Sequence, residues 1–206
     1  MEPLQVLTAW ALAAMTSWLP YSSHRGEPLQ EVENRYQAIA DAAVAANFNP
    51  SVRPLAWGSR AASTILTLSV AEAESSFRAD VFTGIGPHAR GDNGQSFCLM
   101  QVQVGDGSIT VGGEDWFGDD LLADPNKCLL AGVQKLRGSL GTCPTLEFRD
   151  RLSAYITGKC QPLYWRSRMR IDRAVEWVNA HHPPVKDSDV LAALAKAEEP
   201  GVEAKL

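Results

Sequence analysis

Two carboxylates, Glu72 and Glu74, close an apolar helical pattern and are followed by a glycine-rich stretch carrying Gly84, Gly86, Gly91 and Gly94, with Asp92 among them. Residues 97–104 then read as a buried strand-like segment holding two amides, Gln101 and Gln103. An acid at a helix end, facing a mobile loop over a packed strand, is one way a cleft sets a proton donor beside a bound sugar. Breaking a glycosidic bond needs a proton for the leaving oxygen, from a carboxyl tuned to the working pH. Glu74 lies at the rim of the apolar face with Phe77 nearby, where desolvation would favour a neutral acid. A surface glutamate at a helix end is the plainer reading of the same residue. At about 100° per residue, Glu72 and Glu74 fall on opposite edges of the apolar stripe, so periodicity does not choose between them.

Other chemistries find less support. Ser96 is not in a G-x-S-x-G elbow, and Gly84-Ile85-Gly86 lacks the remaining glycines of a dinucleotide loop. His24, His88, His181 and His182 form no H-E-x-x-H pair. Cys98 has no histidine close by in sequence to activate it as a nucleophile. The four cysteines, Cys98, Cys128, Cys143 and Cys160, show no C-x-x-C, so a metal site is not expected and the reading needs no metal or organic cofactor. They admit three full pairings. If the intervening helices are straight, Cys128 with Cys143 and Cys143 with Cys160 are too far apart, leaving Cys98–Cys143 with Cys128–Cys160. Free buried thiols remain the alternative.

The ordered pieces Glu74-Ser75-Ser76-Phe77, Gly91-Asp92-Asn93-Gly94, Leu99-Met100-Gln101 and Ala154-Tyr155-Ile156-Thr157-Gly158 resemble the catalytic core of goose-type lysozymes and soluble lytic transglycosylases. Asp124-Pro125 followed by residues 129–136 resembles the helix between the last two, and the likeness spans roughly residues 55–180. It implies a mainly α, lysozyme-like α+β domain with a small β-hairpin at the cleft. It also implies cleavage of the β-1,4 bond after N-acetylmuramic acid in peptidoglycan, with Glu74 as general acid and then base. Asp92 would be a possible second carboxylate, equally ordinary turn chemistry. Ser75, Met100, Gln101 and Tyr155 would contact substrate or acid, Tyr155 by a hydroxyl bonded to Glu74. Their plainer readings are a backbone bond, a core methionine, a structural amide and a core tyrosine.

Departures from the family pattern bear on the reaction. Cys98 replaces a glycine, Ile156 replaces the asparagine of A-Y-N-A-G, and Gln103 stands where goose-type lysozymes often carry an aspartate. Without that aspartate, transglycosylation is favoured over hydrolysis by a muramidase or phage endolysin, although Asp92 or Asp106 could substitute. A non-catalytic wall-binding or structural module on the same fold is the rival from another class.

The elements that must hold these residues follow from periodicity and caps. A helix is expected within residues 3–23, a charge-free run read either as a buried helix ended by Leu19-Pro20 or as an export or anchor signal. Further helices are expected over 29–46, 59–77 with Ser59 as N-cap, from Pro125 to at least Leu136, over 146–156 with Thr145 as cap and Gly158 as stop, and over 165–179. Residues 79–96 are expected as an active-site loop, 105–113 as a hairpin tip, and 189–198 as a last short helix. The division is 1–54 as N-terminal helices, 55–182 as the core and 183–206 as a tail. The 206-residue chain has 45% hydrophobic residues and a net charge of −5, which suits a globular domain, most simply a monomer, and not a nucleic-acid partner. Arg166, Arg168, Arg170 and Arg173 behind Tyr164 and Trp165 are either a solvated helix face or a contact for an anionic polymer. The place of action implied is the cell wall, whether periplasmic, extracellular or phage-delivered.

Overall fold

The computed structural model describes residues 2–55, 58–86, 88–104 and 107–198. Asp106, Gly105 and the tail from residue 199 lie outside the described residues. The chain is mainly helical with small antiparallel sheet elements.

Helix α1 (Pro3–Trp18) buries Leu7, Ala11, Ala14 and Met15 against α2 (Leu29–Phe48) and α3 (Arg60–Ser75). Within the charge-free run 3–23, residues 3–18 form a core helix in this fold, and Leu19 with Pro20 ends it. Among the described residues no helix is long and apolar enough to cross a membrane. Helix α3 starts where its sequence says it should: the Ser59 hydroxyl accepts from the Ala62 amide at 3.2 Å. It is buried nearly all round, including Ser63, Thr64, Thr67 and Ser69. Those hydroxyls bond carbonyls one turn back or on a neighbouring helix, which makes them tolerable in a core.

The stretch after α3 departs from expectation in both directions. A short helix α4 (Ala79–Thr83) occupies the start of the anticipated loop. Strands β1 (Arg90–Gly91), β2 (Ser96–Phe97) and β3 (Val102–Gln103) then form an antiparallel sheet, with Gly91 opposite Ser96 and Phe97 opposite Val102. The strand expected over 97–104 is thus two short strands around a turn at 98–101, closed by the Gln101 amide on the Cys98 carbonyl at 2.9 Å. A second hairpin joins β4 (Ile109–Val111) to β5 (Glu114–Trp116) through Gly112 and Gly113, both at positive φ, as a two-residue turn requires. It falls a few residues later than the tip expected over 105–113.

Helix α5 (Gly118–Ala123) leads into α6 (Pro125–Thr142), capped by Asp124 onto the Asn126 amide. The helix expected over 146–156 is broken into a 3₁₀ turn (Phe148–Asp150) and the short α7 (Ser153–Thr157), and Thr145 does not cap it. Gly158 does terminate α7, in the left-handed conformation. Helix α8 (Trp165–Ala180) packs along α3, and α9 (Asp187–Glu198) packs on α1.

The broken helix changes the cysteine arithmetic. Cys143 and Cys160 have Cα atoms 5.4 Å apart and are bonded, because 144–159 doubles back instead of running straight. Cys98 pairs with Cys128 at the start of α6, Cα to Cα 6.0 Å. Both expected pairings are corrected, and no described cysteine is free.

Candidate active site

Six non-glycine residues have positive φ among the described residues: Ser76, Phe77, Asp92, Asn93, Cys98 and Gln101. All fall between the end of α3 and β3. Left-handed backbone is unfavourable for side chains with a Cβ, most of all for a bulky one such as Phe77, and such strain concentrates where a site is shaped. The turn after Glu74 is held from α2. Buried Arg35 donates from Nε to the Phe77 carbonyl at 2.8 Å and pairs through Nη1 with Glu27 at 2.6 Å, while the Tyr36 ring meets Phe77 edge-on.

A cleft of about 860 Å³ opens between the β1–β3 sheet and α6 with α7. Its volume lies in the range typical of ligand sites. Asp92, Gln101 and Gln103 line one side, Gln134, Lys135, Gly138, Ser139 and Thr142 of α6 another, and Tyr155 to Gly158 a third. Each disulfide ties one of the flanking segments to an end of α6: Cys98 to Cys128, and Cys160 to Cys143.

The residues singled out in the sequence divide into three groups. Asp92, Gln101 and Tyr155 meet on the cleft although they come from distant segments. Asp92 is exposed and accepts from the Ser96 hydroxyl at 2.6 Å, and Gln101 turns its amide nitrogen to the Cys98 carbonyl at 3.0 Å. A side chain on Gly91 would fall 2.0 Å from the Gln101 Oε1, so one added there would push the Gln101 amide from its present place. Met100 and Ser75 are structural. The Met100 side chain is fully buried against Gly132, and the Ser75 hydroxyl donates to the Ala71 carbonyl at 2.6 Å.

Glu74 forms the third group. It does not line the cleft, and its setting is an ion pair, not the apolar rim expected: Arg170 of α8 donates to Oε1 from Nη2 at 2.8 Å and from Nε at 3.2 Å. Its neighbour Glu72 is paired with Arg173 at 2.5 Å. Tyr155 lines the cleft and lies within electrostatic range of Glu74. Its ring lines the cavity while its hydroxyl donates to the Met100 carbonyl, not to Glu74 as expected. Burial pushes the Tyr155 hydroxyl well above the ordinary phenol range; the nearby Glu74 charge adds to this and Arg170 partly offsets it. The Tyr155 amide is held by the Ser139 hydroxyl of α6 at 2.9 Å.

The arginine run is neither a solvated face nor a free cationic stripe. Arg170 and Arg173 pair with Glu74 and Glu72, and Arg168 makes a bidentate pair with buried Asp150 at 2.7 Å in both arms. Arg166 alone of the four has no carboxylate among the described residues and lies over the Trp165 ring. Glu74 lies 96 residues from Arg170 and Asp150 lies 18 from Arg168, both beyond any local sequence signal.

Sequence reasoning singled out Gln103 but missed the other open amides. Asn93, Gln95, Gln103 and Gln134 all line the cleft, and none of their side chains bonds to protein among the described residues. Among the described residues no cluster of three His, Cys, Asp or Glu side chains could hold a metal. In comparisons with known proteins, no family model, no curated protein and no solved structure matches this chain.

Proposed function

We propose that this chain is a lysozyme-like enzyme that cleaves the glycan strands of peptidoglycan between N-acetylmuramic acid and N-acetylglucosamine, with Glu74 as the acid. The observation that carries the reading is the meeting of three separated motif segments at one polar cleft, with Tyr155 on its wall and Glu74 within electrostatic range of that tyrosine. Open amides on a concave surface suit a ligand dense in hydroxyl and acetamido groups. In the cleavage step, Glu74 gives its proton to the leaving glycosidic oxygen as the bond from that oxygen to the anomeric carbon breaks. The sugar's own C6 hydroxyl then attacks that carbon and returns its proton to Glu74, leaving a 1,6-anhydro end. The Arg170 pair must open for Glu74 to act. Gln103 on the cleft has an amide where a hydrolase would want a base, which favours this route over water attack. Asp92 on the same cleft is the feature that favours muramidase action instead.

The experiment is mass spectrometry of digested peptidoglycan with wild type and Glu74→Gln. Anhydro ends, absent with the variant, are the expected result; reducing ends that disappear in Asp92→Asn would establish hydrolysis. A second reading, a wall-binding module without turnover, is favoured by the Glu74–Arg170 pair and by the absence of Glu74 from the cleft lining. Binding to insoluble peptidoglycan with no released product would establish that one.

A further inference from the structure

Only two charged side chains line the cleft among the described residues, Asp92 and Lys135. Asp92 has the Ser96 hydroxyl as a partner. Lys135 is exposed and has neither carboxylate nor carbonyl within bonding distance among the described residues. The chain has 24 acidic against 19 basic side chains, so acceptors are in excess. Among the described residues eight other lysines and arginines sit on carboxylates, Lys127 of the same helix among them. One turn along α6 from Lys135, Gly138 has nothing within 4 Å of where a side chain would begin. The helix wall therefore recedes next to the ammonium, leaving room for a ligand group to reach it. The four unpartnered amides around the same cavity recognise neutral polar groups; an ammonium adds recognition of a negative one.

We propose that Lys135 is a specificity-determining residue that selects glycans bearing a carboxylate over neutral glycans of the same backbone. This rests on the glycan reading of the cleft. An ammonium is a point charge, satisfied by a carboxylate in many orientations, so the selection is for charge and not for exact geometry. Arginine at the same position would preserve it.

The test uses the full chain carrying Glu74→Gln, so that nothing is cut, titrated calorimetrically with two tetrasaccharides. One is a peptide-free peptidoglycan fragment whose muramic acid residues carry the lactyl carboxylate; the other is the N-acetylglucosamine tetramer, which lacks it. The expected result is a three- to tenfold tighter Kd for the carboxylated oligomer, narrowing as salt is raised. The added Lys135→Met change should abolish that preference without weakening the neutral oligomer, and Lys135→Arg should keep it. A preference that survives in Lys135→Met overturns the assignment and leaves the glycan reading standing. Equal affinity of the parent protein for both oligomers does the same. Binding of neither oligomer overturns both.

Discussion

The seam between α3 and α8 and the cleft between α6 and the β1–β3 sheet draw on similar polar side chains and use them in opposite ways. At the seam, Glu72 meets Arg173 and Glu74 meets Arg170, all four side chains a quarter exposed or less, and Ser69 bonds both the Arg170 carbonyl and the Arg173 side chain. Each polar group there has an internal partner, as burial demands. Across the cleft, four amides and one ammonium have none among the described residues, and the backbone beneath them is strained at Asp92, Asn93, Cys98 and Gln101. A satisfied set of charges holds two helices in register. An unsatisfied set in a concave wall is left for something that arrives from outside. Glu74 sits in the seam, and the proposed reaction would give it a second membership, in the cleft.

That double membership gives the sharpest test. Glu74→Gln should reduce peptidoglycan cleavage by roughly 10²- to 10⁴-fold, the usual contribution of general acid–base help. Glu72→Gln should leave the rate near wild type. Both replace a charged acceptor by a neutral one at the same seam, so their losses of stability should match, at about 1–2 kcal/mol each. A turbidity assay beside thermal melts reads both quantities. If Glu72→Gln abolishes cleavage and Glu74→Gln does not, the assignment of the acid is falsified.

The next largest effect should come from the disulfides, which belong to the cleft side of the comparison. Their closed loops span 30 and 17 residues, for which chain entropy predicts about 3–4 kcal/mol apiece. Reductant should lower the thermal midpoint. Cys143→Ser with Cys160→Ser should then weaken glycan binding beyond what the lost stability explains, because the α7 wall is released while the seam stays intact. Four titratable thiols in unreduced native protein would remove this prediction.

Acid should disturb a third place, the Asp150–Arg168 pair at the N-terminal end of α8. The bidentate bond from Arg168, with a further bond from the Leu163 amide, holds the Asp150 carboxyl below its ordinary range despite burial. A carboxyl depressed in the folded state contributes stability that is present above its unfolded value near 3.8 and is lost as pH falls through the lower folded value. Wild type should therefore lose stability below about pH 4 more steeply than Asp150→Asn, in denaturant melts run from pH 6 downward.

The smallest pair of effects separates the two faces of one helix. Gly132 of α6 faces inward, where a methyl would fall 2.5–2.8 Å from Met100 atoms; Gly138 faces the open cleft. Gly132→Ala should destabilise by about 1–2 kcal/mol, overpacking exceeding the gain in helix propensity. Gly138→Ala should stabilise by up to about 1 kcal/mol. Urea unfolding at equilibrium resolves the two signs.

How much of this was legible in the chain follows from the range of the forces involved. Helices α2, α3, α6 and α8 were readable because each carries its own apolar period and its own start or stop, Ser59 and Pro125 among them. The turn at 98–101 was not, because Cys98 and Gln101 carry no turn signal. Their left-handed backbone is imposed by Cys128 and by Met100 lodging against Gly132, both on a helix some thirty residues later. The 146–156 helix failed for a similar reason: buried Asp150 serves Leu163 and Arg168. The motif residues Asp92, Gln101 and Tyr155 were identifiable from their order. That Met100 lodges against Gly132 of a later helix, and that Arg170 holds Glu74 from 96 residues away, depends on packing that no local pattern records.

The position of α1 sets a constraint on timing. Its Trp10 indole donates to the His181 carbonyl at 3.0 Å, Trp18 meets Trp177 edge-on, and α9 packs on its outer side. Helix α1 is synthesised well before α8 and α9 and thus waits for them before its surroundings are complete. At ordinary synthesis rates of about 5–20 residues per second, that delay is on the order of ten to thirty seconds. Through it the apolar side of α1, with Leu7, Ala11 and Met15, has only α2 and α3 to cover it. Long-range closure of this kind slows folding and lengthens exposure to misassembly. Until α8 and α9 are made, α1 lacks two of the elements that contact it in the folded chain.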